Sequence, residues 1–323
     1  MGESVPAGEA LYGCTLARVA EPDSVLLPGH DVPLGRYTTV RRLLPQRQRR
    51  MIGAWCFLDH FGPEDVRARP GMQVPPHPHT GLQTVTWLVQ GEIVHRDSLG
   101  NHQTIKPGQL NLMNSGHGIA HSEESPPEHP PGMHGLQLWL ALPDDARDSP
   151  PRFDHHPDVP VLRDAAATVT VVVGELDSVR SPARVHSPLV GAEVLLEPGR
   201  ARLPLEREFE YGVLVLTGAA RVDEVPLERR ALLYLGRGRS QLPVEATGPA
   251  RLFLVGGEPF DEPLVMWWNI VGRSHEEIVA AREAWMAGAR FGTVPGSVHE
   301  PLPAPPMPTV RLKARNRHGQ LID

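Results

Sequence analysis

Along this chain, apolar positions recur mostly with a period of two, the spacing of a strand with one buried face. Thr84-Val-Thr-Trp-Leu-Val89 is β-branched and aromatic, as strands prefer. Glu92 to Asp97 alternates polar and apolar residues, and Leu110 to Met113 follows as a further short strand. Turns separate these runs at Gln90-Gly91, Ser98-Leu-Gly-Asn101 and Lys106-Pro-Gly-Gln109, all rich in residues that tolerate unusual backbone angles. Gly35 to Leu44 and Ala54 to Phe61 read as strands before this block, and His134 to Leu142 as the strand that closes it. Short strands with turns roughly every 8–12 residues predict a small antiparallel barrel or sandwich, which can hold one ligand in its mouth.

The pattern then repeats. Val169 to Val173, Ala192 to Leu196, Tyr211 to Leu216, Ala231 to Leu235 and Arg251 to Val255 are strands, with Gly199, Gly218 and Gly236 between several of them. One stretch has helical spacing instead. Ser274 caps a helix over 274–288, with Glu277 three residues on as in a capping box, and Ile278, Ala281 and Trp285 on one face. Residues 1–34 are expected to form a surface extension, 35–143 a first barrel, 144–160 a linker and 161–294 a second barrel with the helix. Residues 295–323, proline-rich and then basic, are expected to be a partly ordered, solvated arm. Asp154-His155-His156 falls in the linker, where consecutive histidines of an extended chain point apart.

Composition narrows the function. The 323 residues suit two domains, and a net charge of −6 argues against direct nucleic-acid binding, which depends on neutralising phosphates. Two cysteines, Cys14 and Cys56, build no disulfide framework, so a cytoplasmic location is expected. Cys56 lies in an apolar strand and reads as a packed core thiol. No stretch reaches the roughly 18 apolar residues of a membrane span, and Pro6 stands where a myristoylation motif after Gly2 wants Ser or Thr.

The candidate chemistry lies in two short pairs. His77-Pro-His79 and His121-Ser-Glu123 each place two donors at i and i+2, on one face of a strand. If the intervening hairpins bring the pairs together, three imidazoles and one carboxylate converge, a donor set suited to a divalent first-row metal. Three His and one Glu leave about two positions free on an octahedral ion, enough for a substrate and dioxygen. Ligand softness favours Fe(II), with Mn, Ni, Cu or Zn also compatible.

The order glycine, His-x-His, Pro-Gly turn, Gly-x-Gly-x-x-His, from Gly71 to His121, resembles the cupin signature. More narrowly, the stretch from His77 to Glu123, with Cys56 to Pro63, Gly135 to Pro143 and Phe260 to Gly292, resembles the pirin family over about residues 30 to 295. That resemblance implies an all-β fold of two tandem cupin barrels (double-stranded β-helix, or jelly-roll) with a short C-terminal helix. It implies metal ligands at His77, His79, His121 and Glu123, and a second barrel without metal. Gln83 stands where relatives commonly carry Glu, and His117 where many have Arg, so Glu123 is the only acidic ligand candidate. The resemblance also implies two functions. One is a quercetin 2,3-dioxygenase-like enzyme acting on a small aromatic substrate with dioxygen, Glu123 being the catalytic base. The other is a non-enzymatic, metal- and redox-sensing regulator that binds a protein partner. His117 and Gln137 are candidates to orient a ligand or substrate.

Overall fold

The computed structural model describes residues 24–322 except 36 and 165, so Gly2 and Cys14 lie outside the described residues. In the first half, the strands are β1 (Ser24–Pro28), β2 (His30–Leu34), β3 (Thr38–Leu44), β4 (Trp55–Asp65), β5 (Gln73–His79) and β6 (Leu82–Gln90). They continue with β7 (Ile93–Asp97), β8 (His102–Ile105), β9 (Leu110–Asn114), β10 (Ile119–Glu124), β11 (Gly132–Ala141) and β12 (Arg152–His156). The second half holds β13 (Val161–Asp164), β14 (Ala167–Leu176), β15 (Val179–Arg180), β16 (Leu189–Leu196), β17 (Gly199–Pro204) and β18 (Glu210–Thr217). After these come β19 (Ala220–Val222), β20 (Val225–Leu227), β21 (Ala231–Leu235), β22 (Gln241–Ala246), β23 (Ala250–Gly257), β24 (Val265–Trp267), β25 (Ile270–Gly272) and helix α1 (His275–Met286).

Each half is one large sheet facing one small sheet. The first barrel sets β12-β9-β6-β11-β4-β3-β2 against β5-β10-β7-β8. In the second, β1-β21-β18-β23-β16-β14-β13 faces β17-β22-β19-β20. The described residues are therefore all-β, with two tandem cupin barrels and one short helix.

The two large sheets pack on each other through their outer faces, and the alternation along the strands dictates which residues meet. Leu110 and Leu112 of β9, Val85 and Trp87 of β6, and Leu136 and Leu138 of β11 share one apolar core with Leu214, Leu232, Tyr234, Phe253 and Val255 of the second barrel. Trp87 donates its indole N–H to Glu193 Oε1 across this seam (3.0 Å), and Gln83 donates to the Arg184 carbonyl (3.0 Å). The residues between these positions, Thr84, Thr86, Asn111, Met113, Gln137 and Trp139, therefore turn into the first barrel.

Three expectations about boundaries change, and one element packs where its place in the sequence does not suggest. Residues 24–28, taken as part of a surface extension, form β1 and pair in full register with β21, adding an edge to the second barrel's sheet. The supposed linker contains β12, which hydrogen-bonds along β9 and completes the first barrel. The helix, capped by Ser274 Oγ accepting from the Glu277 N–H, packs Ile278 and Ala281 with Phe291 and Ala120 of β10. It thus packs on the first barrel's flank although it follows the second barrel in sequence. The tail after 295 is not a solvated arm: Leu302 N–H donates to the Pro76 carbonyl (2.8 Å) and Arg317 reaches the fully buried Glu210 (2.8 Å). In each case a distant partner supplies what the local sequence pattern does not show. Cys56 is buried, as expected of a core thiol, and burial pushes it up to about 12.

Candidate metal centre

Strand β10 is the spine of the site. It pairs with β5 so that His121 faces His77 and Ile119 faces His79. Between His121 and Glu123 the register shifts, a bulge that re-aims the following side chain. On its other edge β10 pairs with β7, setting His121 opposite Asp97 and Glu123 opposite His95. Donor atoms of His77, His79 and His121 lie within 4.8 Å of one another, and so do those of His95, His121 and Glu123. The four residues singled out from the sequence are thus arranged as two overlapping groups joined at His121, with His95 as an added fifth member.

All of these side chains are buried, and burial penalises the imidazolium form. Burial lowers His77 to about 4 and holds His79 and His121 well below the ordinary histidine value, with neighbouring imidazoles adding to the shift. A neutral imidazole is the form that binds a metal. The ring nitrogens are also sorted. His77 Nδ1–H donates to the Pro75 carbonyl and His79 Nδ1–H to the Asn269 carbonyl, each at 2.9 Å, which leaves Nε2 as the lone-pair nitrogen. His121 Nε2 is buried with no hydrogen-bond partner among the described residues. A buried, unpartnered ring nitrogen of this kind, among neutral nitrogen donors beside a carboxylate, fits a divalent transition metal.

The Asn269 carbonyl comes from far along the chain. It caps the β24–β25 hairpin, which lies against the end of β5, with Val271 N–H donating to the Thr80 carbonyl (3.1 Å). Gly81, at φ +68, makes that approach possible, since a Cβ there would stand 2.5 Å from the Val271 carbonyl oxygen.

The facing wall is polar and aromatic. Thr86 Oγ1 lies 2.9 Å from both Glu123 Oε1 and Gln137 Oε1. One hydroxyl carries one proton. With Glu123 ionised, Thr86 donates to Glu123, and the Gln137 amide turns to donate its Nε2–H to Thr86. Burial raises the Glu123 carboxyl above its ordinary value, with His95 and Thr86 opposing that shift. Phe153 stacks on His95 (4.3 Å between centroids, 14° between planes), and Trp139 meets His79 edge-on (5.0 Å). Trp139 Nε1 and Asn111 Nδ2 are buried donors without partners among the described residues.

Gln137 therefore reaches Glu123 through Thr86. His117 does not reach the site. Gly116, at φ +48, turns the chain outward, and His117 is exposed, with its N–H donating to the Ser149 carbonyl and its own carbonyl accepting from Arg290 Nε. Sequence reasoning overlooked His95, Asp97, Thr86 and Asn111. His95-Arg-Asp97 has the same i, i+2 spacing as the two recognised pairs, and the Thr-Val-Thr-Trp alternation of β6 marks Thr86 as facing away from the apolar seam.

Residues 37–140 match the Pirin family profile and residues 191–292 the Pirin C-terminal cupin domain. The chain belongs to the pirin family. A Pseudomonas aeruginosa protein named "Putative quercetin 2,3-dioxygenase" is 49% identical over 277 residues, covering 85% of this chain and 88% of that one. A Caulobacter vibrioides pirin-like protein is 37% identical over 259 residues, covering 77% and 88% respectively. Among solved structures, a quercetin 2,3-dioxygenase from Acinetobacter baumannii superposes with a TM-score of 0.86 at 43% identity, over 90% of this chain and 97% of that one. Among the described residues of this pirin, no helix is long and apolar enough to cross a membrane.

Proposed function

We propose that this pirin is a metal-dependent dioxygenase that holds Fe(II) on His77, His79, His121 and Glu123 and opens flavonols such as quercetin. The observation that carries the reading is the buried, unpartnered His121 Nε2 beside two neutral histidines whose Nδ1 atoms are already engaged. A bound Fe(II) supplies Lewis acidity toward the flavonol oxygens and a redox-active centre for dioxygen.

The chain's own residues prepare the rest. Glu123, positioned by Thr86, accepts the proton of the flavonol hydroxyl on loosening from the ion. Trp139 and Phe153 provide aromatic surface for a planar substrate. The unpartnered N–H groups of Trp139 and Asn111 are donors for substrate oxygens, so an oxygen-rich aromatic gains more here than a hydrocarbon. Incorporation of both oxygen atoms yields a depside and carbon monoxide. The names of the Pseudomonas and Acinetobacter relatives support the substrate class.

Anaerobic reconstitution with Fe(II), then addition of quercetin and air, should bleach the flavonol absorbance and release carbon monoxide. If Fe, Mn, Ni, Cu and Zn each leave the absorbance unchanged, this reading is wrong.

A further inference from the structure

The fifth member of the cluster has a specific place in its hydrogen bonding. His95 Nε2 lies 3.1 Å from Asp97 Oδ2, and His95 Nδ1 lies 3.4 Å from His121 Nδ1. Asp97 is itself pinned. Its Oδ1 accepts from the backbone N–H of Leu99 and of Asn101 and from the Asn101 side chain, which also donates to Oδ2. Although burial opposes it, the hydrogen bonds from His95 and Asn101 hold this carboxyl below its ordinary value. An ionised carboxylate only accepts, so His95 carries its proton on Nε2 and presents a lone pair at Nδ1. His121 must then carry its proton on Nδ1 to meet that lone pair, and its Nε2 is left bare. That Nε2 is the buried atom with no partner.

We propose that Asp97 and His95 form a hydrogen-bonded relay that locks ligand His121 in the Nδ1–H tautomer, with His95 a positioning residue. The inference rests on the metal-site reading above and deepens it. His77 and His79 have their tautomers set by backbone carbonyls. His121 alone uses a side-chain relay ending in a full negative charge, which raises the basicity of its Nε2. Phe153, stacked on the His95 ring, holds the ring plane along the relay.

The competing arrangement has His95 as a ligand in its own right, since it also groups with His121 and Glu123. Substitutions separate the two. Asp97→Asn keeps its oxygen toward Leu99 and Asn101 and turns its amide N–H toward His95 Nε2. Every donor in the chain then reverses, and His121 carries its proton on the metal-facing nitrogen. His95→Phe keeps the ring stack but removes the acceptor. His95→Asn restores an oxygen at the Nδ1 position, which accepts from His121 while losing Asp97.

Nitrogen-15 imidazole spectra of the metal-free protein give a readout independent of metal. The relay requires His121 as Nδ1–H in the wild type and Nε2–H in Asp97→Asn. Ni(II) and Co(II) affinities, measured by chelator competition, should fall about 10–100-fold in Asp97→Asn and His95→Phe, the range typical of lost outer partners. His95→Asn should recover most of that loss. An Nε2–H His121 in the wild type would overturn the relay, and so would a His95→Asn variant as weak as His95→Phe. If the tautomers behave as required but no variant or wild type binds metal, the relay stands and the metal reading falls.

Discussion

The two barrels share an architecture and differ in what fills them. Inside the second, Val169, Val171, Val194, Leu203, Val213, Val244, Leu252 and Leu254 close into a continuous apolar core. Inside the first, the equivalent space between the large and small sheets is occupied by imidazoles, Glu123, Thr86, Asn111 and Gln137, and the apolar cluster around Phe61, Leu88 and Ile105 is much smaller. A barrel filled with hydrocarbon contributes stability. A barrel lined with neutral nitrogen donors gives some of that up for a site, and here the seam with its filled neighbour, built on Trp87, Leu136, Tyr234 and Phe253, provides the compensating burial.

This contrast can be broken or sharpened by experiment. The largest effect belongs to the ligands. His79→Ala should abolish metal binding, read as metal content by atomic emission, while leaving the far-UV spectrum of a folded β-protein. Leu254→Ala in the second barrel should show the converse, losing about 2–4 kcal/mol of stability in denaturant titration through a core cavity while metal per folded chain is unchanged. If Leu254→Ala lost metal in proportion to stability, the separation of roles would be wrong.

A third test addresses the buried acid of the second barrel. Glu210 accepts from the Gly53 N–H, the Tyr234 hydroxyl and Arg317, with Arg49 3.6 Å away. Arg317→Ala should cost about 2 kcal/mol, below the usual penalty for stranding a buried charge because Arg49 remains. An unchanged denaturation midpoint would show the tail to be dispensable. Thr86→Val should lower flavonol turnover about 10-fold with metal content retained, because the hydrogen bonds to Glu123 and Gln137 are lost while the proposed ligands stay in place.

The smallest effect is a pH slope at the seam. His60 and His134 touch through Nε2 atoms 2.8 Å apart, and burial lowers them to about 3 and about 4. Their folded values lie below the unfolded ones, so the stability they contribute is complete above about pH 6.5 and is lost as pH falls toward 3. The unfolding midpoint of metal-free protein should decline over that interval, and replacing both residues with leucine should make the decline shallower, the remainder belonging to His77, His79 and His121.

Much of this was legible in the chain, for identifiable reasons. Strands such as 211–216 and 252–255 are buried on both faces, between barrel core and seam, and read as unbroken apolar runs. Strand β22 buries only Leu242, Val244 and Ala246 between exposed Gln241, Pro243 and a half-buried Glu245, and the outer small sheet it belongs to escaped notice. Four of the site residues declared themselves because two i, i+2 pairs of strong ligands are conspicuous. His95 did not, since its function depends on which strands lie beside β7. Edge strands β1 and β12 and the Arg317–Glu210 pair are likewise decided by partners far away in sequence, which no local period encodes.

One such long-range contact orders events in time. His79 is synthesised 190 residues ahead of Asn269, whose carbonyl orients its ring. On the ribosome, the nascent amino-terminal half therefore has its imidazoles but not the clasp that aims one of them. On the proposed metal reading, full affinity then requires that the hairpin carrying Asn269 has also been made and docked against β5.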